Sequence, residues 1–216
     1  MPPQNVSTES VPLPANRGFS RPLAALLRWW LQRQVTQAQA LQVSLQGTSQ
    51  VWLSGCLPYI QVSAQNIIYQ KMHLHQVALT AQAIRFHLPF LQKKGQPFVE
   101  PITVEIQATI TEQNVNASLP YFQETLCLYL QEFYSEIGNI QAVNIYPDGI
   151  SWLLTSQTQL LTQVHLVTPN ELMLRSDDKQ IIVDLGTDVQ IQELKLQPGS
   201  IYLSGDLLIR PAAPTG

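Results

Sequence analysis

The stretch ITVEIQATITEQNVNASLPYFQETLCLYLQEFYSEI, residues 102–137, changes its apolar period partway along. Up to Ile110 the period is two: Ile102, Val104, Ile106, Ala108 and Ile110 alternate with Thr103, Glu105, Gln107 and Thr109. That is the pattern of a half-buried strand, because successive side chains of a strand point to opposite faces. From Thr111 onward Val115, Leu119, Phe122, Leu126, Leu130, Phe133 and Ile137 recur at spacings of four and three, which predicts one long helix of roughly six turns. Thr111 suits its N-cap, Glu112 its first turn and Gly138 its stop, while Pro120 should kink or break it near Asn116.

Before this stretch the period is also two. Leu41/Val43/Leu45, Val51/Leu53, Ile60/Val62/Ala64 and Val77/Leu79/Ala81 read as antiparallel strands, with turn chemistry at Gly47, Gly55, Lys93-Lys94-Gly95 and Pro97. After it comes a second run of strands, at Ile140–Ile145, Ile150/Trp152/Leu154, Leu160–Val167, Glu171–Arg175, Gln180–Asp184, Val189–Leu196 and Ile201/Leu203/Leu207/Ile209. Tyr146-Pro147-Asp148-Gly149 and Asp177-Asp178-Lys179 read as turns between them. The class is therefore α+β and mostly β. A sheet apolar on one face and a helix apolar along one stripe must cover each other.

Residues 1–20 hold Pro2, Pro3, Pro12 and Pro14 among Ser, Thr and Asn, and read as a disordered lead. Arg21 to Gln39 reads as an amphipathic helix, with Pro22 in its first turn and Leu23, Leu26, Leu27, Trp30 and Leu31 at helical spacing. Arg21 and Arg28 beside Trp29-Trp30 suit a membrane interface, since Trp favours the headgroup layer and Arg favours anionic lipid. Packing on the domain core is the other reading of the same amphipathicity. Residues 21–210 are expected to form a single domain, and 211–216, PAAPTG, a tail.

Charged residues make up only 12% of the chain, and Gln, Ser, Thr and Asn fill its polar faces, as sheets allow. The net charge of −3 hides a separation. Residues 1–94 carry eight Lys and Arg against one acid, Glu9, and residues 95–216 carry four against fourteen. A basic front half fits an anionic partner, a membrane surface or nucleic acid. Nucleic acid is the weaker choice, because Lys71, Arg85, Lys93 and Lys94 are widely spaced and lack interleaved aromatics.

Cys56 and Cys127 sit among apolar neighbours and read as small buried thiols, not a disulfide pair. No nucleophile elbow, phosphate loop, dinucleotide fingerprint or HExxH pattern occurs, so no catalytic residues and no cofactor are assigned. His73-Leu74-His75 could place two imidazoles on one strand face as metal ligands, but no Cys, Asp or Glu nearby in sequence completes a shell. Exposed strand histidines are the default. No stretch approaches the ~18 apolar residues of a membrane span, and the start lacks a basic then apolar leader, so a cytosolic or cytosol-facing peripheral location is expected.

Residues 41–84, LQVSLQGTSQVWLSGCLPYIQVSAQNIIYQKMHLHQVALTAQAI, resemble the opening of the LmeA-like phospholipid-binding family. ATITEQNVNASL (108–119) looks like that family's strand-to-helix junction, and LQPGSIYLSGDLLI (196–209) like its closing hairpin. The resemblance implies a curved antiparallel sheet wrapped around the long helix, similar to tubular lipid-binding domains, with an apolar groove for acyl chains. It implies phospholipid or a membrane surface as partner, and groove contacts from Phe122, Leu126, Leu130 and Phe133 on the helix with Val104, Ile106 and Trp152 on strands. Without a groove, a packed α+β core would serve as a scaffold for a protein partner through an apolar face or edge strand.

Overall fold

In the computed structural model of the chain, residues 35–48, 50–51, 54–85, 100–134 and 138–210 are described. The expected lead, most of the first helix, the 93–97 turn, Ile137 and the tail lie outside them. Strands account for 65% of the described residues, so the mostly β class holds.

Alternation builds the first sheet. Its strands are β1 (Gln37–Gln46), β2 (Cys56–Tyr69), β3 (Met72–Arg85), β4 (Ile102–Thr111), β10 (Val189–Gln197) and β11 (Ser200–Ile209), in the order β1-β2-β3-β4-β11-β10 and antiparallel throughout. Register keeps like with like. Val43 faces Val62, Val62 faces Leu79, Leu79 faces Ile106 and Ile106 faces Gly205, while Leu45, Ile60, Ala81, Val104 and Leu207 form the next row. Period two places both rows on one face and leaves Thr103, Glu105 and Gln107 exposed on the other.

Three left-handed residues, Ala40, Asn66 and Ala83, interrupt these strands, and the β1–β2 register slips around Ala40. Such bulges bend a strand and raise its twist. At Gly205 the opposite strand β10 carries its own slip, between Ile191 and Glu193, and its backbone comes so close that a Cβ would run into the Gln190 carbonyl. Only glycine fits there.

The second sheet is a plain meander of β5 (Ile140–Tyr146), β6 (Gly149–Leu154), β7 (Gln159–Thr168), β8 (Glu171–Ser176) and β9 (Lys179–Asp184). Both expected turns, Pro147-Asp148 and Asp177-Asp178, join its hairpins. The strands thus form two sheets where a single sheet curved around the helix was expected, and among the described residues no barrel closes.

Between them runs α1 (Glu112–Leu130). Thr111 caps it as expected: its hydroxyl accepts from the Asn114 N–H at 3.3 Å, and the Asn114 side chain accepts from the Thr111 N–H at 3.1 Å. Pro120 lies inside the helix without ending it. The stop expected at Gly138 comes earlier. Gln131 still bonds back to Cys127, but the Phe133 N–H turns to the Leu130 carbonyl, tightening the last turn. Lys179 then donates to the Glu132 and Phe133 carbonyls at 3.2 and 2.9 Å, satisfying acceptors the helix end leaves free.

Two more sequence expectations are corrected. Residues 37–39 belong to β1 and not to a helix reaching Gln39, since β1 pairs Gln37 with Ile68 and Gln39 with Gln65. Val51 is no strand residue, for Gln50 and Val51 are helical and the Gln50 carbonyl accepts from the Ser54 N–H.

Two apolar clusters result. The larger joins Leu119, Leu130 and Phe133 to Val143, Ile145, Trp152, Leu154 and Leu160 of the second sheet, and inside it Trp152 Nε1 donates to Thr162 Oγ1 at 2.8 Å. The smaller joins Leu57, Ala81, Ile84, Ile102 and Val104 on the first sheet.

Candidate functional site

The helix is anchored to both sheets by polar side chains of its first two turns. Asn116 meets the edge strand β5 as another strand would: its amide donates to the Val143 carbonyl and accepts from the Val143 N–H, each at 2.8 Å. Glu112, one turn earlier, accepts from the Ile145 N–H at 3.0 Å. Ser118 accepts from the His73 N–H of β3 at 2.9 Å. The β10–β11 turn closes the clasp, because Gly199 donates to the Ile145 carbonyl and accepts from the Glu112 N–H. Gly199 holds a φ of +73° there, a conformation glycine adopts without strain.

This clasp brings the start of α1 over the ends of β2 and β3 and leaves a cavity of about 540 Å³. Its lining mixes apolar Ile67, Ile68, Leu74 and Ala117 with polar Gln37, Asn66, His73, His75, Gln113 and Asn114. That suits a ligand that is itself amphiphilic. His73 and His75 are therefore cavity-lining residues, His73 half-buried and His75 exposed. Among the described residues no group of three His, Cys, Asp or Glu side chains is arranged to hold a metal ion.

Beyond the cavity, the inner face of the first sheet is incompletely covered. Val43 on the edge strand and Leu79, Ile106 and Leu203 farther in are only half-buried, whereas Leu57, Ile84 and Ile102 toward one end of the strands are buried.

The seven residues expected to line a groove fall in three places. Leu130, Phe133 and Trp152 are buried in the larger cluster, with Leu126 packed against it on the second-sheet side of α1. Val104 is buried in the smaller cluster, and Ile106, next along its face, is half-buried. Phe122, half-buried on α1, belongs to neither cluster. None of the seven lines the 540 Å³ cavity. His73, His75 and Thr111 stand out in the sequence for other reasons, but the cavity does not, because hairpin ends, a helix start and a distant turn supply it and no local pattern announces that meeting. Arg21, Arg28, Trp29 and Trp30 lie outside the described residues.

Electrostatic perturbation sits elsewhere. Lys195 is held above its ordinary pKa by its hydrogen bond and charge pairing with Glu193, and Arg210 likewise by Asp188. Both are on the exposed β10–β11 margin. Cys56 and Cys127 are free and half-buried. No described helix is long and apolar enough to cross a membrane, a finding that does not bear on strands.

No curated protein and no solved structure matches the chain. The model of one protein family does, along residues 15–214. By this match, which takes in both sheets and the helix between them, the chain belongs to the LmeA-like phospholipid-binding family.

Proposed function

We propose that the protein binds phospholipid without chemical turnover, as a carrier or membrane-peripheral binder, and holds acyl chains along the inner face of the first sheet. The observation that carries this is that Val43, Leu79 and Ile106 stay only half-buried on the inner apolar face, although Val62 of the same row is buried. Leaving such side chains partly wet forfeits about 25 cal/mol for each Å² of apolar surface, and a bound acyl chain recovers it. Ile106 and Phe122 would touch the chain, Val104 would form the floor, and Leu126, Leu130, Phe133 and Trp152 would form the closed wall behind α1. The amphiphilic cavity at the start of α1 would take the more polar end of the lipid. Trp29, Trp30, Arg21 and Arg28 would contact the membrane.

Solvent extraction of the purified protein with mass spectrometry of the extract tests this. Bound phospholipid is expected, and Ile106→Trp, which puts a larger side chain on the half-buried part of that face, should cut the load by about fivefold or more if acyl chains lie there, in line with the cost of overfilling a site. Protein free of lipid that also ignores anionic liposomes would sink the reading, and an unchanged load in the variant would sink the placement. A scaffold role rests on a different feature, the edge strand β9 with Ile182 exposed. It predicts protein capture that an Ile182→Lys change abolishes while lipid content stays the same.

A further inference from the structure

The tip of the β2–β3 hairpin, Tyr69-Gln70-Lys71-Met72, does not end in open solvent. Lys71 extends its ammonium over the Tyr121 ring of α1, 5.2 Å from the centroid, and so ties the tip to the outward face of the helix. What this joins is an exposed apolar surface. Tyr69 is 45% exposed, Met72 42%, Tyr121 55% and Leu128, two turns beyond Tyr121 on the same face, 66%. Each of these side chains could have been polar at no cost to the core, because none belongs to either buried cluster.

We propose that this surface is where the protein docks on an anionic phospholipid bilayer. The choice of occupant rests on the phospholipid reading above, and two observations favour it over a protein partner. The first is composition: tyrosines, with an apolar ring and a polar hydroxyl, beside Met and Leu, suit the layer between headgroups and acyl chains. The second is charge. Between Glu9 and Glu100 the sequence has no acidic residue, so neither strand of the hairpin carries an acid, and Lys71 stands at the very tip as a cation. Glu124, exposed on α1 between Tyr121 and Leu128, is the acid that opposes docking.

Position links docking to the site. Ile68 and His73, immediately flanking the tip, and Ala117, one turn before Tyr121, line the 540 Å³ cavity. A bilayer touching this surface therefore faces the cavity, and a lipid entering it crosses little water.

The test is vesicle binding by the full-length protein, with phosphatidylcholine vesicles and with vesicles also containing phosphatidylglycerol. The surface variant Met72→Ser/Tyr121→Ser/Leu128→Ser should bind about tenfold or more weakly to both, since each change removes an inserted apolar group. Lys71→Gln should weaken, and Glu124→Gln strengthen, binding to the phosphatidylglycerol vesicles alone, an effect that salt suppresses. Lipid carried per protein is measured in parallel. Wild-type protein free of cargo but losing vesicle binding in the triple variant would leave docking standing and remove the cargo reading. Triple-variant binding equal to wild type, or a wild-type dimer that the triple variant dissociates with vesicle binding unaltered, would overturn the docking surface.

Discussion

Single side chains in this protein differ widely in what their loss should do, and burial orders them. Leu160 is 1% exposed and Leu128 66%. Leu160→Ala should lower unfolding free energy by about 2–5 kcal/mol in a denaturant titration, the range for a cavity opened in a packed core, while Leu128→Ala should leave the midpoint unchanged. Asn116 shows that a polar residue can matter as much. Asn116→Leu keeps the volume but strands the Val143 N–H and carbonyl, so a loss of about 1–3 kcal/mol is expected from the same titration. Nothing in NVNASL marks Asn116 as the residue that meets β5, because its partner lies 27 positions away. Thr111, whose partner Asn114 is three residues on, was legible as a cap for the opposite reason.

At the scale of elements, strands and turns were read almost residue for residue where alternation was strict, as in β4 and in the meander from β5 to β9. The helix was legible in existence and N-terminus but not in its end. Periodicity through Phe133 and Ile137 reports which residues seek the core, and Phe133 does reach it, from a turn outside the helix. Val51 misled because two alternating apolar residues make too short a pattern to tell strand from turn. Pro120 was expected to disrupt α1, yet the helix passes through it, held on both sides by the bonds of Asn116 and Ser118. Tertiary anchoring therefore outweighs a local cost of about 3 kcal/mol. Pro120→Ala removes that cost and should raise stability by about 1–3 kcal/mol, visible as a higher thermal midpoint with unchanged lipid content.

For the whole molecule, the decisive feature is the clasp of Glu112, Ile145 and Gly199 that fixes the second sheet against the first. Glu112→Ala removes one of its bonds and should cost about 1–2 kcal/mol, with faster amide hydrogen exchange at Ile145 and Val143 than within β3 or β4. A uniform change across both sheets would instead mean that they open as one unit. The sequence by itself determined the secondary structure class, most strand boundaries and the apolar faces, because period two and period 3.6 are local consequences of backbone geometry. The tertiary structure alone decided that the strands divide into two sheets, that the expected groove residues divide between two apolar clusters and the half-buried surface outside them, and that a cavity opens beside His73 and His75. Those outcomes depend on pairing and hydrogen bonds between residues far apart in the chain, and a periodic pattern states which face is apolar without stating what that face will meet.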